Sequence, residues 1–382
     1  MRILIALTYY RPHYSGLTIY TERLARTLAQ RGHEVTVLTS RFNRFSPRDE
    51  IVDGVRVVRS TVWFHLSKGV IMPSLPLKGF ELIRHADVVN LHVPQMDAAY
   101  LSWMARAAGK PVVMTYHCDL RLPSGVVHRL ANLGSQLANS VTAAAARVIV
   151  TNTRDYAEQS RFLRRYLGKV RPVLPPIVMP AAPPEHLQAF RERLGLRPGQ
   201  KVIGINARLA TEKGIEYLVA AMPRVLEVYP DARVLYVGQY QNVMGEEDYF
   251  NRIKPGIDAL GDRWTFLGVV PPEDQSAFFS ACDVTVLPSI NATESYGMVQ
   301  VESMLFGTPV VASDLPGVRH AVTTTGMGRI FPPGDAQALA AALLDVLAHP
   351  DQFRGDVASI RARYNPQTIS GEYEAIFKEL TL

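Results

Sequence analysis

The chain reads as an α/β protein made of two consecutive series of parallel strands and helices. Three observations predict this. Short apolar runs of strand length alternate with segments of helical period along most of the sequence. The alternation begins at the first residues and restarts after residue 200. A proline-rich stretch lies between the two series. With 382 residues the chain exceeds one ordinary domain, and 47% hydrophobic against 20% charged residues is ample for two cores.

In the first series, strands are predicted at residues 2–7, 34–39, 55–59, 88–93, 112–116 and 148–151. A helix over 18–31 carries Ile19, Leu24 and Leu28 at helical spacing, and Gly32 sits where a glycine C-terminal cap belongs. The second series has strand runs KVIGIN, RVLYVG, WTFLG, VTVLPS, TPVVAS and GRIFP, with helical segments between them. Six prolines within residues 171–184 predict an extended connection. After it comes a final helix from Pro366, with Ile369, Tyr373, Ile376, Phe377 and Leu380 on one face. Taken alone, that helix would pack on the second series.

Composition narrows the class. No run approaches the roughly 18 apolar residues that span a bilayer, and the opening residues read as a strand and not as a secretory leader, which predicts a cytoplasmic protein. Cys118 and Cys282 lack metal spacing and read as reduced, small apolar residues. The net charge of +6 is unevenly spread. Residues 1–180 hold 24 Lys and Arg against 11 Asp and Glu, a net of +13, and the remainder carries −7. Such a basic half suits anionic lipid or a phosphorylated acceptor, or forms a plain solvated face. No nucleic-acid motif accompanies it.

Four loops after predicted strands carry the candidate chemistry. The segment Glu294-Ser295-Tyr296-Gly297-Met298 opens a helix that contains Glu302. Two carboxylates so spaced grip separated parts of one ligand, or else Glu294 favours the helix N-terminus and Glu302 is solvated. Arg208 and Lys213-Gly214 place two cations at another helix start, a diphosphate clamp unless Glu212 neutralises them. Ser15-Gly16 follow the first strand, a phosphate-binding arrangement, but the dinucleotide fingerprint G-x-G-x-x-G is absent, which argues against a nicotinamide or flavin cofactor. His117, at the end of the fifth strand, bonds or protonates an oxygen, or is structural. No D-x-D-type acidic pair marks a metal site.

Taken in order, RPHYSG, RGHEVTVLT, TYHCD, ARLATEKG, ACDVTVLPS, ESYGMVQVE and GTPVVAS resemble the motifs of glycosyltransferase family 4, retaining enzymes of GT-B fold, over residues 1 to about 335. The resemblance implies two Rossmann-like domains facing each other across a deep cleft: residues 1–172 for the acceptor, a linker over 173–184, and residues 185–365 for the nucleotide sugar. It also implies that helix 366–382 packs back on the first domain. Glu294 would hold donor-sugar hydroxyls and Glu302 the ribose. Arg208 and Lys213 would stabilise the leaving diphosphate, aided by N–H groups at Ser15-Gly16 and Gly297-Met298. His117 would contact the sugar near the reacting carbon, with Gly238, Ser295 and Tyr296 lining the donor site.

The implied reaction moves a hexose or related sugar from a UDP- or GDP-sugar to a hydroxyl acceptor by same-face substitution, with no metal or other cofactor. Asp119 and Arg121 are acceptor-side candidates. Segments 121–130 and 161–167 mix basic and apolar residues as an interfacial helix does, which suggests a lipid-linked acceptor and peripheral attachment to the inner face of a membrane. Ser15-Gly16 replaces the usual Gly-Gly, and Gly238-Gln-Tyr-Gln-Asn242 replaces Gly-Asp-Gly-Pro, which leaves the base open. Two rival classes share these motifs: a nucleotide-sugar epimerase, which needs no acceptor, and a binding protein that holds donor without turnover.

Overall fold

The computed structural model describes residues 1–66, 69–120 and 126–382. It divides into two compact units, one of Met1–Pro176 with Tyr364–Leu382 and the other of Ile177–Arg363.

The apolar runs of the first unit become β1 (Arg2–Ala6), β2 (Glu34–Arg41), β4 (Val55–Thr61), β7 (Val88–Val93), β8 (Val112–Tyr116) and β9 (Val148–Thr151). Three further pieces join them: β3 (Asp49–Val52), the small hairpin β5 (Phe64–Leu66) and β6 (Gly69–Ile71), and β10 (Val170–Pro172). The sheet order is β10-β9-β8-β7-β1-β2-β4-β3, parallel except for β3 against β4. Parallel strands buried on both faces are near-continuous in apolar residues, and all six positions of β7 are buried. Two of those six are Asn90 and His92.

Helix α1 (Gly16–Gln30) starts two residues before the predicted position because Ser15 caps it, its hydroxyl accepting from the Thr18 N–H at 3.2 Å. Helices α2 (Leu75–His85), α3 (Ala98–Ala107), α4 (Val126–Ala145) and α5 (Arg154–Gln159) complete the crossovers. Residues 161–167 are not the predicted helix. They form short 3₁₀ turns in which Phe162 and Leu163 are buried, with Phe162 stacked on Tyr116, while Arg161, Arg164 and Arg165 stay exposed. The apolar side chains are therefore core, and no apolar face remains for a membrane there.

The second unit is a six-stranded, wholly parallel sheet. Its strands are β11 (Val202–Asn206), β12 (Arg233–Val237), β13 (Trp264–Gly268), β14 (Val284–Leu287), β15 (Val310–Ser313) and β16 (Gly328–Phe331), in the order β13-β12-β11-β14-β15-β16. Around it lie α6 (Pro184–Arg193), α7 (Ile215–Val228), α8 (Glu247–Leu260), α9 (Pro272–Ala281), α10 (Met298–Met304), α11 (Arg319–Thr325), α12 (Ala336–Ala348) and α13 (Val357–Tyr364). Its core gathers Ile203, Ile205, Leu218, Met222, Tyr236 and Leu343.

The last helix, α14 (Pro366–Thr381), belongs to the first unit and buries Ile369, Tyr373 and Phe377 there, not on the second series as its amphipathic face alone suggested. Its Glu374 takes charged hydrogen bonds from Lys378 at 2.5 Å and from Arg31, the residue that caps the end of α1, at 2.6 Å. These hold the Glu374 carboxyl down at about 2, below its ordinary 4.5. A carboxylate with a depressed folded pKa stabilises the fold above the ordinary value, and that contribution is lost as pH falls through about 2. Because its partners are solvated, Glu374→Ala should cost about 1 kcal/mol at pH 7. Thermal midpoints of variant and parent should then converge between pH 4.5 and 2. A gap that persists at low pH would assign the effect to packing.

Candidate active site

In open α/β sheets ligands bind beyond the carboxyl ends of strands where the order reverses. In the second unit this point lies between β11 and β14, since β11 continues to β12 on one side and pairs β14 on the other. The two loops leaving these strands carry the predicted cations and carboxylates.

The loop after β11 runs through Arg208 to a 3₁₀ turn at Thr211–Lys213, and Gly214 in the left-handed region (φ 62°) starts α7. A Cβ on Gly214 would lie 2.3 Å from the Pro288 carbonyl, so glycine lets this turn press against the loop after β14. The Ile290 N–H donates to the Glu212 carbonyl at 3.0 Å, and Glu246 accepts from both N–H and hydroxyl of Thr211. From the second loop Glu294 meets the Lys213 ammonium at 2.5 Å, with both side chains mostly buried. Arg208, half-exposed, pairs with Glu212 at 2.8 Å. Each cation thus has a carboxylate: Glu212 pairs with Arg208, and Glu294 holds Lys213.

Beyond Glu294 the chain is buried at Ser295 and Tyr296 and turns at Gly297 (φ 76°) into α10. A side chain at Gly297 would strike Leu287 at the end of β14. Glu302 is 8% exposed, so the alternative in which it is solvated does not hold. Gly238 follows β12 with φ 123°, and a Cβ there would lie 2.1 Å from the Ala207 carbonyl. It lets the loop of Arg208 pass.

In the first unit the reversal falls between β1 and β7. Ser15 and Gly16 follow β1, and the Ser15 hydroxyl is spent on the α1 cap. His117 follows β8, half-buried, its Nε2 2.9 Å from Nδ1 of His92 and its ring edge-on to Tyr20 at 4.9 Å. Burial pushes His117 down to about 3, and burial together with His117 lowers His92 well below the imidazole range. Both rings are neutral at physiological pH.

Asp119 accepts from Tyr116 and Ser160 at 2.7 Å and from the Arg161 N–H at 3.2 Å, which binds the loop after β8 to the start of the 3₁₀ turns. Its carboxylate is therefore engaged as scaffold, in place of a free acceptor-side group. Arg121 lies outside the described residues, as do residues 122–125 of the same basic segment.

The sequence reading missed His92, Asn90, Thr115, Tyr20 and Tyr373. Its overlooked signal is the pair Asn90 and His92, two positions apart on one face of an otherwise apolar central strand. Among the described residues no group of three His, Cys, Asp or Glu side chains could hold a metal ion, and no helix is long and apolar enough to cross a membrane.

Comparison with known proteins gives two family matches: Glycosyltransferase Family 4 over residues 14–177, and Glycosyl transferases group 1 over residues 188–360. A phosphatidyl-myo-inositol mannosyltransferase of Mycolicibacterium smegmatis is 28% identical, with 100% of this chain and 94% of the relative covered. A 2-deoxystreptamine N-acetyl-D-glucosaminyltransferase of Streptomyces fradiae is 28% identical over 94% of this chain and 90% of its own. Among solved structures, Anabaena HepE in complex with UDP-glucose superposes with a TM-score of 0.78 at 21% identity, each chain covered in full. At that identity the likeness shows the fold.

Proposed function

Because the chain belongs to the glycosyltransferases, with a Family 4 domain followed by a group 1 domain in the GT-B fold, we propose that it is a retaining enzyme using a nucleotide diphosphate sugar. The donor is a UDP- or GDP-sugar carrying a hexose or related sugar, and the acceptor is a hydroxyl. The observation that carries this reading is the pairing of Lys213 with Glu294 across the β11–β14 reversal, beside Arg208 with Glu212.

Cleaving the bond between the anomeric carbon and phosphate builds negative charge on the diphosphate. Cations already in place stabilise it without reorganisation. In the ligand-free protein Glu294 and Glu212 keep Lys213 and Arg208 in position. On donor binding the diphosphate takes over both cations, which frees Glu294 for sugar hydroxyls, while the buried Glu302 binds the ribose. The acceptor hydroxyl then attacks the oxocarbenium-like sugar from the face the phosphate leaves, and its proton passes to a phosphate oxygen. With Arg208 and Lys213 supplying the positive charge, the reaction runs without metal. His117 donates to a sugar oxygen.

For the acceptor we favour a lipid-linked or phosphate-bearing alcohol met by the first unit at an anionic membrane surface. The +13 charge of residues 1–180 supports this, as do the exposed Phe45, Trp63, Leu77 and Trp103. One relative is named for phosphatidyl-myo-inositol.

The experiment is a thermal-shift screen of UDP- and GDP-sugars, since a ligand at 100 times its Kd adds about 2.7 kcal/mol. Turnover of the stabilising sugar is then followed with and without anionic vesicles carrying lipid-linked alcohols. Donor conversion without acceptor would favour the epimerase. Stabilisation without turnover would favour a binding protein, and vesicle-independent transfer would remove the membrane from the proposal.

A further inference from the structure

The first unit holds a buried run of side-chain hydrogen bonds that ends at His117. Tyr20 and Tyr373 hydroxyls lie 2.9 Å apart, and Tyr373 is 3.2 Å from the Thr115 hydroxyl. Thr115 donates to the Asn90 carbonyl oxygen at 2.8 Å, and the Asn90 amide nitrogen lies 3.1 Å from Nε2 of His92. His92 Nδ1 lies 3.0 Å from the Thr21 hydroxyl and 2.9 Å from His117 Nε2. Tyr20, Tyr373, Thr115, Asn90 and His92 are all buried, so each polar atom must find its partner inside the protein.

The direction of this run is set at Thr21. Its hydroxyl donates to the Leu17 carbonyl at 2.9 Å, and a carbonyl only accepts. The Thr21 oxygen therefore faces His92 as an acceptor, and the proton of the neutral His92 ring sits on Nδ1. The other nitrogen, Nε2, is then an acceptor, which matches the amide nitrogen that Asn90 presents once its oxygen has taken the Thr115 proton. One N–H of His92 is shared between Thr21 and His117. His117 Nε2 must accept, so its own proton sits on Nδ1. Every donor from Tyr20 to His117 points the same way, an arrangement in which hydrogen bonds strengthen one another.

We infer that His92 is a positioning residue that fixes the tautomer of His117, so that His117 offers a ligand oxygen an Nδ1–H donor and has no free basic nitrogen. This rests on the proposed role of His117 toward a sugar, and it deepens it: the ring acts as a neutral hydrogen-bond donor and not as a general base. Tyr20 and Tyr373 supply the far end of the run, and the Tyr20 ring packs at right angles to His117.

The test reads the tautomer directly. Long-range proton–nitrogen correlation spectra of the full-length protein labelled with 15N-histidine should show His117 protonated on Nδ1 and His92 protonated on Nδ1 near pH 7. His92→Leu should release His117 into a mixture of tautomers. It should also lower kcat by about tenfold to a hundredfold with little change in donor KM, as loss of an orienting partner does. His92→Asn, whose amide nitrogen takes the place of Nδ1, should restore the Nδ1–H form and most of the rate. A parent spectrum with His117 protonated on Nε2 overturns the inference even if His92→Leu does not fold, as does an unchanged tautomer in a folded His92→Leu. The spectra need no turnover, so a failure of the proposed transferase activity would appear separately, in the rate assay alone.

Discussion

Replacing both Arg208 and Lys213 by alanine is expected to lower transfer from the nucleotide sugar by a thousandfold or more, while leaving the fold intact. Removing one preorganised donor from developing oxyanion charge costs about 10²–10³ in rate. The double variant removes two and leaves Glu212 and Glu294 without their counter-charges. Those carboxylates would then repel the diphosphate, so donor affinity should fall as well. Arg208 is half-exposed and its pair lies at the surface, so Arg208→Ala alone should move the thermal midpoint little, whereas Lys213→Ala leaves the mostly buried Glu294 unpaired and should lower the midpoint without unfolding the protein at assay temperature. The measurement is steady-state kinetics of the single and double variants beside the parent, with the singles expected to be less than additive. Unchanged turnover in the double variant would end the clamp reading.

Gly238→Ala should give the largest stability loss of any single methyl group added near the site. The added carbon would lie 2.1 Å from the Ala207 carbonyl, at a φ of 123° that side chains rarely adopt. Strain and overlap together should cost about 2–4 kcal/mol, or roughly 5–10 °C in Tm. Relief requires the strand end carrying Ala207 and Arg208 to move, so kcat should fall with stability. Gly245→Ala is the matched control, with φ 77° and no atom within 4 Å of the new carbon. It should cost only the backbone term, about 1 kcal/mol. Equal losses in calorimetry would show that the close approach to Ala207 carries no weight.

Much of the architecture was legible because central parallel strands are continuous apolar runs, and all the predicted strand runs are found. What escaped is what obeys weaker rules. Strand β3 is short, mostly exposed and polar at its start, so alternation could not mark it. At 161–167 basic and apolar residues alternate as they would on an interfacial helix, but burial of Phe162 and Leu163 decides the structure. In the second unit Arg208, Lys213 and Glu294 were readable because each lies in a loop that follows a strand end in sequence. The partners of His117 were not, because the run closes through residues as far apart as Tyr20 and Tyr373, 353 positions along the chain. Ser15 and Gly238 show a further limit: both stood out for a ligand, and the structure gives each a local task in capping or close passage.

The placement of α14 bears on how the protein is made. A ribosome delivers residues 1–176 first, yet the unit they belong to lacks Tyr364–Leu382 until the whole of the second unit has been made. The second unit, Ile177–Arg363, is contiguous and can fold as soon as it emerges, because domains fold as units during synthesis. The earlier-made unit is therefore completed last, when Tyr373 arrives to satisfy the Tyr20 and Thr115 hydroxyls. A chain that stops short of α14 leaves the Tyr20 hydroxyl without the partner that Tyr373 supplies, so the first unit closes only on a segment made after the second.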